Sequence, residues 1–352
     1  MHNSTSATAE QVTAAWQKVL KRTDIGPEDN FFDLGGDPVL ATQLFEEIKF
    51  KPGARLGAVS IFQAPTIAEM TALIDQPTRP KFPTIVPLRR LTGGQPLFVT
   101  HGLNGSVMEL LQVVRQLPHE FGVYGLQLPG FDAIVRPFSK VQDVAEEFLD
   151  RIKEVQPEGP YALVGYSFGG LVMMEIARRL IETGNRISAL VMIESYPFRK
   201  FLSLSQRMKF IRRTIGHHVS IFTKYPMRRK LQYLTSGAVR WQSYIDEGLM
   251  IDSLQTGIVR GEAFQRYCDA TMAALRSYQP KFFPGKIRFV KAAKATALFP
   301  DDPAAVWKDL SSDIAVETVA GDHFGIITKY HRELGAVLTK YLSGRDEDGH
   351  KK

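Results

Sequence analysis

Residues 164–170, VGYSFGG, carry the clearest chemical signal in the chain. Ser167 stands in a Gly-x-Ser-x-Gly pattern, with a short apolar run before it and a helical pattern after it. That context predicts a sharp strand-to-helix turn, which presents the serine oxygen at the end of a sheet, where the N–H groups that begin a helix favour negative charge. A plain Gly-Ser turn would match the same letters, but the flanking strand and helix favour a nucleophile at Ser167.

A nucleophilic serine requires a base, and the base requires an acid that orients it. On this kind of turn the chain order is serine, acid, histidine. His323, in VAGDHFGI, follows a strand-like run at 314–320 and lies in a glycine turn, so we predict that it is the base rather than a capping histidine. The other histidines after Ser167 lie in a basic stretch, the last helix and the tail: His217, His218, His331 and His350.

The acid has more than one candidate. Glu194 ends ALVMIES (189–195), the next strand after the nucleophile, and its carboxylate is expected at the same sheet edge as Ser167, although a surface charge at a strand end is the alternative. Asp301 and Asp302, after the later strand KIRFVKA (286–292), are alternative acids. Asp322 adjoins His323 in the chain, so we expect its side chain to point elsewhere.

The early segment THGLNGS (100–106) ends a strand and is expected to supply part of an oxyanion site. A backbone N–H from Leu103, together with that of Phe168, would hold the developing negative charge. His101 could also be proposed as the base. Because it precedes the nucleophile, we expect it to shape the loop instead.

The elements that must position these residues alternate between strand and helix. The helical patterns at 141–155 and 171–184 separate most of the apolar runs, which are 96–102, 123–130, 161–167, 189–195 and 286–292. Such alternation predicts an α/β fold with a parallel sheet covered on both faces, whose ligands bind beyond the carboxyl ends of the strands. Residues 198–280 break the pattern and are predicted to form a helical lid.

The first 75 residues do not show this alternation of strand and helix patterns. They contain short amphipathic helices, among them 8–22 with Val12 and Trp16 inward, a helix from Pro38, and a last helix opened by Pro65. We predict a small all-α four-helix domain at 8–75, a proline-rich linker at 76–87, an α/β domain at 88–343 and a solvated tail at 344–352.

The composition narrows the function class. The chain has 352 residues, of which 44% are hydrophobic and 23% charged, as in ordinary globular proteins. One cysteine, Cys268, excludes a disulfide framework and favours a reducing compartment. No signal pattern and no run of 18 apolar residues is present, so we expect a cytoplasmic protein without stable membrane association.

The net charge of +7 is a local feature, because residues 199–240 hold 11 Lys or Arg and no Asp or Glu. We therefore expect no nucleic-acid partner. This basic stretch is either a solvated lid face or a surface for an acidic partner, such as a carrier domain or a pantetheine phosphate.

Residues 96–342 resemble a type I thioesterase domain, the releasing domain of nonribosomal peptide and polyketide assembly lines. The resemblance rests on the His-Gly strand end, VYGLQLPGFD, GPYALVGYSFGGLVMMEIARRL, LVMIESYP and GDHF. It implies an α/β-hydrolase fold and a Ser167–Glu194–His323 triad. In that family an aspartate usually stands where this chain has Glu194, although glutamate serves as the acid in related hydrolases.

Residues 8–75 resemble a peptidyl carrier domain, through DNFFDLGGD and IFQAPTIAEMTALI. In that family the residue after Gly-Gly-Asp is a serine whose hydroxyl takes a phosphopantetheine arm. This chain has Pro38, which suits the first position of a helix but has no hydroxyl. We therefore expect a carrier-shaped domain that carries nothing, since Thr42, one helical turn onward, is misplaced for modification.

The resemblance implies a thioesterase that acts on an acyl thioester held by a carrier domain or coenzyme A, with an upstream synthetase module or another carrier protein as partner. No metal or redox cofactor is implied. Two alternatives stay open. One is a serine esterase or acyl-CoA hydrolase that acts on soluble substrates. The other is a non-catalytic docking protein of an assembly line, which the inactive carrier suggests.

Overall fold

The computed structural model describes residues 2–36, 38–48, 58–76, 83–89, 91, 93–103, 105–128, 138–209, 211–212, 262–294 and 299–343. The strands are β1 (Ile85–Arg89), β2 (Pro96–Thr100), β3 (Gly122–Leu126), β4 (Tyr161–Tyr166), β5 (Ile187–Ile193), β6 (Phe283–Ala292) and β7 (Ser311–Val319). The α-helices are α1 (His2–Leu20), α2 (Pro38–Glu47), α3 (Ile67–Ile74), α4 (Leu111–Val114), α5 (Val141–Val155), α6 (Phe168–Glu182), α7 (Glu262–Ser277), α8 (Pro303–Trp307), α9 (Gly325–Thr328) and α10 (His331–Leu342). Short 3-10 helices cover Ala58–Phe62, Val107–Leu110 and Arg199–Phe201, and residues 204–209 are helical as well.

Helices α1 to α3 and the 3-10 helix Ala58–Phe62 enclose a small core of their own. Trp16 and Phe31 are fully buried there, with their rings edge to face at 5.1 Å between centroids. The predicted inward face of α1 is confirmed, because Val12 and Trp16 have no exposed surface. The last helix differs from the prediction: α3 begins after Thr66, whose side chain forms a reciprocal capping box with Glu69, so Pro65 precedes the helix rather than opening it.

The seven strands form one sheet in the order β1-β3-β2-β4-β5-β6-β7. All neighbouring pairs are parallel except β1 with β3, which is antiparallel. Helices α5 and α6 pack on one face of the sheet, whereas α4, α9 and α10 pack on the other. The predicted α/β-hydrolase fold with a helical N-terminal domain is confirmed, and the carboxyl ends of the parallel strands share one edge.

Strand β1 begins inside the stretch predicted as a linker, at residue 85 of 76–87. Prolines in that stretch argued against a strand, but β1 is an edge strand, where a missing N–H need not break a ladder. Its register with β3 is irregular between Pro87 and Arg89. The Arg89 guanidinium then ties the edge down by donating to the carbonyls of Leu117, Pro118 and Phe121.

The helical unit packs on the sheet domain beside the loop 100–106. Val86 of β1 and three side chains that follow the loop, Val107, Met108 and Leu111, join the apolar cluster of the helical unit. The Arg115 guanidinium donates to the carbonyl oxygen of Gly36, next to the turn that precedes α2. The two units thus share buried apolar surface at this contact.

The predicted lid, 198–280, lies largely outside the described residues. Its return helix, α7, is described, and Tyr278 directly after it donates a hydrogen bond to Glu175 on α6 at 3.2 Å. Burial raises the pKa of Glu175, but hydrogen bonds and charge from Arg178 and then Arg179 outweigh that effect, and the net pKa is below the ordinary value. A buried ionised cluster therefore holds the end of α7 on α6. Among the described helices, none is long and apolar enough to cross a membrane.

Candidate active site

Ser167 occupies the turn between β4 and α6. Its backbone has φ 54° and ψ −118°, in a region that non-glycine residues rarely enter, and its N–H donates to the carbonyl of Ile193 at 2.8 Å. The residue as a whole is 9% exposed. The turn holds the hydroxyl at the amino-terminal end of α6, as the Gly-x-Ser-x-Gly pattern predicts.

Close packing around the turn explains the glycines of VGYSFGG. A Cβ on Gly165 would lie 2.4 Å from the carbonyl oxygen of Gly169, and one on Gly169 would lie 2.4 Å from that of His101. A Cβ on Gly170 would lie 2.0 Å from the Ser195 hydroxyl. These distances are too short for any side chain, so the start of α6 can meet β4 and the loop 100–106 only with glycine here.

The structure brings Glu194 and His323 together. The distance from Glu194 Oε2 to His323 Nδ1 is 3.3 Å, and both side chains are buried. The second carboxylate oxygen, Oε1, accepts a hydrogen bond from the backbone N–H of Ala292 at 2.8 Å. Glu194 itself has φ 49°, and its N–H donates to Val290. The end of β6 therefore holds both the backbone and the side chain of Glu194.

Aromatic side chains surround the imidazole of His323. The Tyr166 ring stacks on it at 5.1 Å between centroids, and the Tyr166 hydroxyl donates to the carbonyl of His323 at 2.8 Å. The centroid of the Phe299 ring lies 4.5 Å from that of the imidazole. The residue next to Ser167 thus positions His323. Sequence reasoning did not identify Tyr166, and no local pattern points to a contact across 157 positions.

The carboxylates of Asp302 and Asp322 are engaged elsewhere. Asp302 caps α8 by accepting from the N–H of Ala305, and Asp322 accepts from the N–H of Gly325 in the turn after β7. The backbone carbonyl of Asp301 accepts from Lys291. Among the described residues, Glu194 is the carboxylate in contact with His323, and Asp322 points away as expected.

The two predicted oxyanion donors follow neighbouring strands, and one of them is next to Ser167. Phe168 follows it directly at the first turn of α6, and Leu103 lies in the loop after β2. Neither backbone N–H has an acceptor within the part of the chain that the structure describes. Both N–H groups follow the carboxyl ends of strands of the sheet, β2 and β4.

His101 and Glu109 lie behind the Leu103 loop. Nδ1 of His101 is 2.6 Å from the carbonyl oxygen of Gly102, and Oε1 of Glu109 is 2.5 Å from the Gly102 nitrogen. Burial lowers the pKa of His101 to about 4, so the ring is neutral near pH 7. Because the carbonyl oxygen of Gly102 can only accept, Nδ1 carries the single ring proton, which fixes the tautomer. The structure thus places His101 in the loop, as predicted, and adds Glu109, which sequence reasoning missed.

Comparison with known families extends over both units. Residues 95–342 match the thioesterase domain family, and residues 10–74 match the phosphopantetheine attachment site family. The first match covers more than half of the chain. The chain belongs to the thioesterase domain family. It is a type I thioesterase domain that follows a carrier domain, so the predicted resemblance is confirmed for both parts.

Curated relatives of this thioesterase include large synthetases. Indigoidine synthase of Dickeya dadantii is 33% identical over 183 residues, which are 52% of this chain and 12% of that protein. A dimodular nonribosomal peptide synthase of Bacillus subtilis is 32% identical over 183 residues, which are 52% of this chain and 8% of that protein. The chain therefore spans only a small part of the length of these relatives.

Solved structures share the fold of the thioesterase. One is a four-domain nonribosomal peptide synthetase in its holo form, bound to AMP and glycine, with a TM-score of 0.56 and 21% identity. The match covers 96% of this chain and 26% of the synthetase chain. The NocB thioesterase domain, in a covalent complex with a fluorophosphonate nocardicin G analogue, has a TM-score of 0.50 at 19% identity, with 71% of this chain and 95% of that one covered.

The carrier region of this thioesterase does not fit a phosphopantetheine arm at the expected position. Helix α2 begins at Pro38, directly after the Gly-Gly-Asp sequence, and proline offers no hydroxyl for a phosphodiester. The side chain of Thr42, the next hydroxyl along the helix, lies outside the described residues. The family match makes phosphopantetheine a possible prosthetic group of the domain, whereas the residue at 38 does not support its attachment.

Proposed function

We propose that this chain releases an acyl or peptidyl group from a phosphopantetheine thioester through a covalent intermediate on Ser167. The proposal is carried by the contact between His323 Nδ1 and Glu194 Oε2 at the sheet edge where Ser167 occupies its strained turn. Membership in the thioesterase domain family identifies the bond that is broken.

In the first half-reaction Nε2 of His323 takes the proton from the Ser167 hydroxyl while Oγ attacks the thioester carbonyl carbon. Glu194 stabilises the imidazolium that forms, because its carboxylate accepts from Nδ1–H. The carbonyl oxygen becomes negative and accepts hydrogen bonds from the N–H groups of Leu103 and Phe168. When the carbon–sulfur bond breaks, His323 returns the proton to the leaving thiol, and the acyl group stays on Ser167.

In the second half-reaction a nucleophile releases the acyl group. If water attacks, His323 takes its proton and the product is an acid. If a hydroxyl or amine of the acyl chain attacks, the product is a lactone or lactam. The water content of the site decides between these outcomes, and the predicted lid, 198–280, controls it.

We further propose that the substrate arrives in trans. Pro38 cannot hold a pantetheine arm, so the thioester is presented by a separate carrier domain or by coenzyme A. The synthetase relatives support an upstream synthetase module as the source of the carrier. Binding of an acidic carrier by the basic stretch 199–240 fits this role, although only residues 199–209 and 211–212 of that stretch are described.

Intact-mass kinetics with a panel of acyl-pantetheine thioesters tests the proposal. We expect an acyl adduct on Ser167 and release of acid or ring product. Ser167→Ala should lose the adduct and on the order of 10⁴-fold in kcat, since only binding and the oxyanion site remain. Alanine is smaller than serine and fits the same turn, so the variant is expected to fold.

Three results would contradict the proposal. Faster turnover of matched oxygen esters than of thioesters would indicate a serine esterase instead. If a fluorophosphonate probe fails to label Ser167 and no thioester is consumed, the chain is a non-catalytic docking protein. Retention of more than a tenth of the activity in Ser167→Ala would remove the serine from the mechanism.

A further inference from the structure

We propose that Glu109 and His101 are positioning residues that fix the Gly102–Leu103 peptide, so that the Leu103 N–H is held toward the oxyanion. This inference deepens the proposed function and rests on it. It concerns two buried polar side chains that take no direct part in the proton transfers described above.

Gly102 has more backbone freedom than any other residue type would have at this position. Without a Cβ, glycine restricts neither of its two backbone torsions, and the peptides on each side of it can rotate. Here both peptides are tied. The N–H of Gly102 donates to Glu109 Oε1 at 2.5 Å, and the carbonyl of Gly102 accepts from His101 Nδ1–H at 2.6 Å. The first bond restricts φ of Gly102 and the second restricts ψ.

The second bond also sets the direction of the Leu103 N–H. In a planar trans peptide the C=O of one residue and the N–H of the next point in opposite directions. The carbonyl of Gly102 and the N–H of Leu103 belong to the same peptide. While His101 holds the carbonyl, the Leu103 N–H must face the other way, and no described residue accepts from it.

Both side chains are placed firmly enough for this role. His101 has no exposed surface, and Glu109 is 8% exposed. Glu109 lies on the 3-10 helix Val107–Leu110, whose neighbouring side chains Val107 and Met108 are buried in the cluster shared with the helical unit. The carbonyl of His101 also faces Gly169 at the start of α6, where a Cβ would lie 2.4 Å away. The loop therefore packs between the 3-10 helix that carries Glu109 and helix α6, which follows Ser167.

This positioning has a defined kinetic signature. The Leu103 N–H gains its full hydrogen bond only when the carbonyl oxygen becomes negative, so disorder at this peptide should lower kcat and leave KM nearly unchanged. A merely structural role for Glu109 would lower the melting temperature and would leave the kcat of the folded protein intact.

The test compares Glu109→Leu with Glu109→Gln in the full chain. Leucine has a similar size and removes the acceptor, whereas glutamine keeps a neutral oxygen that can accept from Gly102. Because removal of a whole oxyanion donor costs about 10²–10³ in kcat, we expect about a 10–100-fold fall in kcat for Glu109→Leu, with KM within about threefold. Glu109→Gln should stay within about threefold of the parent in both constants, because it retains the hydrogen bond.

Two further variants keep the result interpretable. Met108→Leu, a volume-conserving change on the same turn, should match the parent and controls for packing. His101→Phe keeps a ring of similar size without the N–H and should lower kcat as Glu109→Leu does, so it provides the test if Glu109→Leu does not fold. Folding is checked by circular dichroism before each measurement.

The outcomes separate this inference from the proposed function. If the parent forms no acyl-enzyme with any thioester, the proposed function fails. If the parent is active and folded Glu109→Leu and His101→Phe keep its kcat, the positioning role is wrong and the proposed function stands. If Glu109→Gln is as impaired as Glu109→Leu, the charge of Glu109 rather than its acceptor matters, and the inference is overturned.

Discussion

Replacement of Glu194 by glutamine tests the centre of the proposed mechanism. Two N–H groups converge on this carboxylate: Ala292 N–H donates to one oxygen at 2.8 Å, and His323 Nδ1 lies 3.3 Å from the other. Glutamine supplies one oxygen and one NH₂ group. The backbone N–H of Ala292 cannot change, whereas the imidazole can change tautomer, so we expect the amide oxygen to stay on Ala292 and the NH₂ to face Nδ1.

The consequence for catalysis follows from the tautomer. With NH₂ as its neighbour, Nδ1 of His323 becomes an acceptor and Nε2 retains the proton, so Nε2 cannot take one from Ser167. The equivalent change in a serine protease triad, from aspartate to asparagine, lowers kcat by about 10⁴, and we expect a loss on that order here. At about 1.36 kcal/mol for each factor of ten, this is about 5.5 kcal/mol in the activation barrier.

The assay is hydrolysis of an acyl-pantetheine thioester, measured as kcat and KM, with the rate of fluorophosphonate labelling of Ser167 as a second readout. Glu194→Asp is the informative companion. Its side chain is one CH₂ shorter, which lengthens at least one of the two hydrogen bonds, but aspartate tolerates the positive φ of 49° better than glutamate does. We therefore expect an intermediate rate for Glu194→Asp.

Two results would refute this reasoning. Activity of Glu194→Gln within about tenfold of the parent would show that the carboxylate does not set the tautomer of His323. Loss of activity in Asp302→Asn, with little change in Glu194→Gln, would show that the acid of the triad lies in the segment after β6. We expect Asp302→Asn to be mild, because Asp302 caps α8.

Further predictions concern other parts of the chain. Pro38→Ser should change the free energy of unfolding by no more than about 1 kcal/mol and should gain one phosphopantetheine group from coenzyme A and a broad-specificity transferase, measured by intact mass. The parent should gain none, and modification of the parent would show that another hydroxyl carries the arm. Gly170→Ala should destabilise the fold by about 1–3 kcal/mol in urea titration, since its Cβ would overlap Ser195; an unchanged midpoint would contradict the close packing. His101 has a pKa lowered from 6.5 to about 4, so the unfolded chain binds more protons and stability should fall as pH drops through that window. The slope due to His101 should approach about 1.4 kcal/mol per pH unit and should be absent from His101→Phe, and equal slopes in the two proteins would refute it.

The sequence could determine the features that depend on local spacing. The spacing of the glycines around Ser167 predicts the tight turn, although part of what excludes a side chain there, such as the His101 carbonyl and the Ser195 hydroxyl, comes from other elements. The inward face of α1 follows from helical periodicity alone. The order serine, acid, histidine limits the base to the histidines after Ser167. Among these, His323 is the predicted base because it follows a strand and lies in a glycine turn.

Only the tertiary structure decided which distant groups meet. Glu194 and Asp302 both follow strands of the sheet, and the sequence pattern does not say which carboxylate reaches His323. The choice depends on the positive φ at Glu194 and on the Ala292 N–H that holds its second oxygen. Likewise, residues 85–89 form strand β1 because they pair with β3 at the edge of the sheet, although the prolines in this stretch favour a linker.

The hydrogen bonds that join Gly102 to His101 and Glu109 show the same difference between what the sequence and the tertiary structure determine. The sequence shows a glycine loop and leads to the prediction that Leu103 is a donor, but it does not show that His101 holds the peptide before Leu103 or that Glu109 holds the N–H of Gly102. Neither residue belongs to a periodic pattern. Such contacts depend on where a short 3-10 helix packs between the sheet and the helical unit, and that placement is set by apolar side chains far apart in the sequence, from Val12 to Leu111.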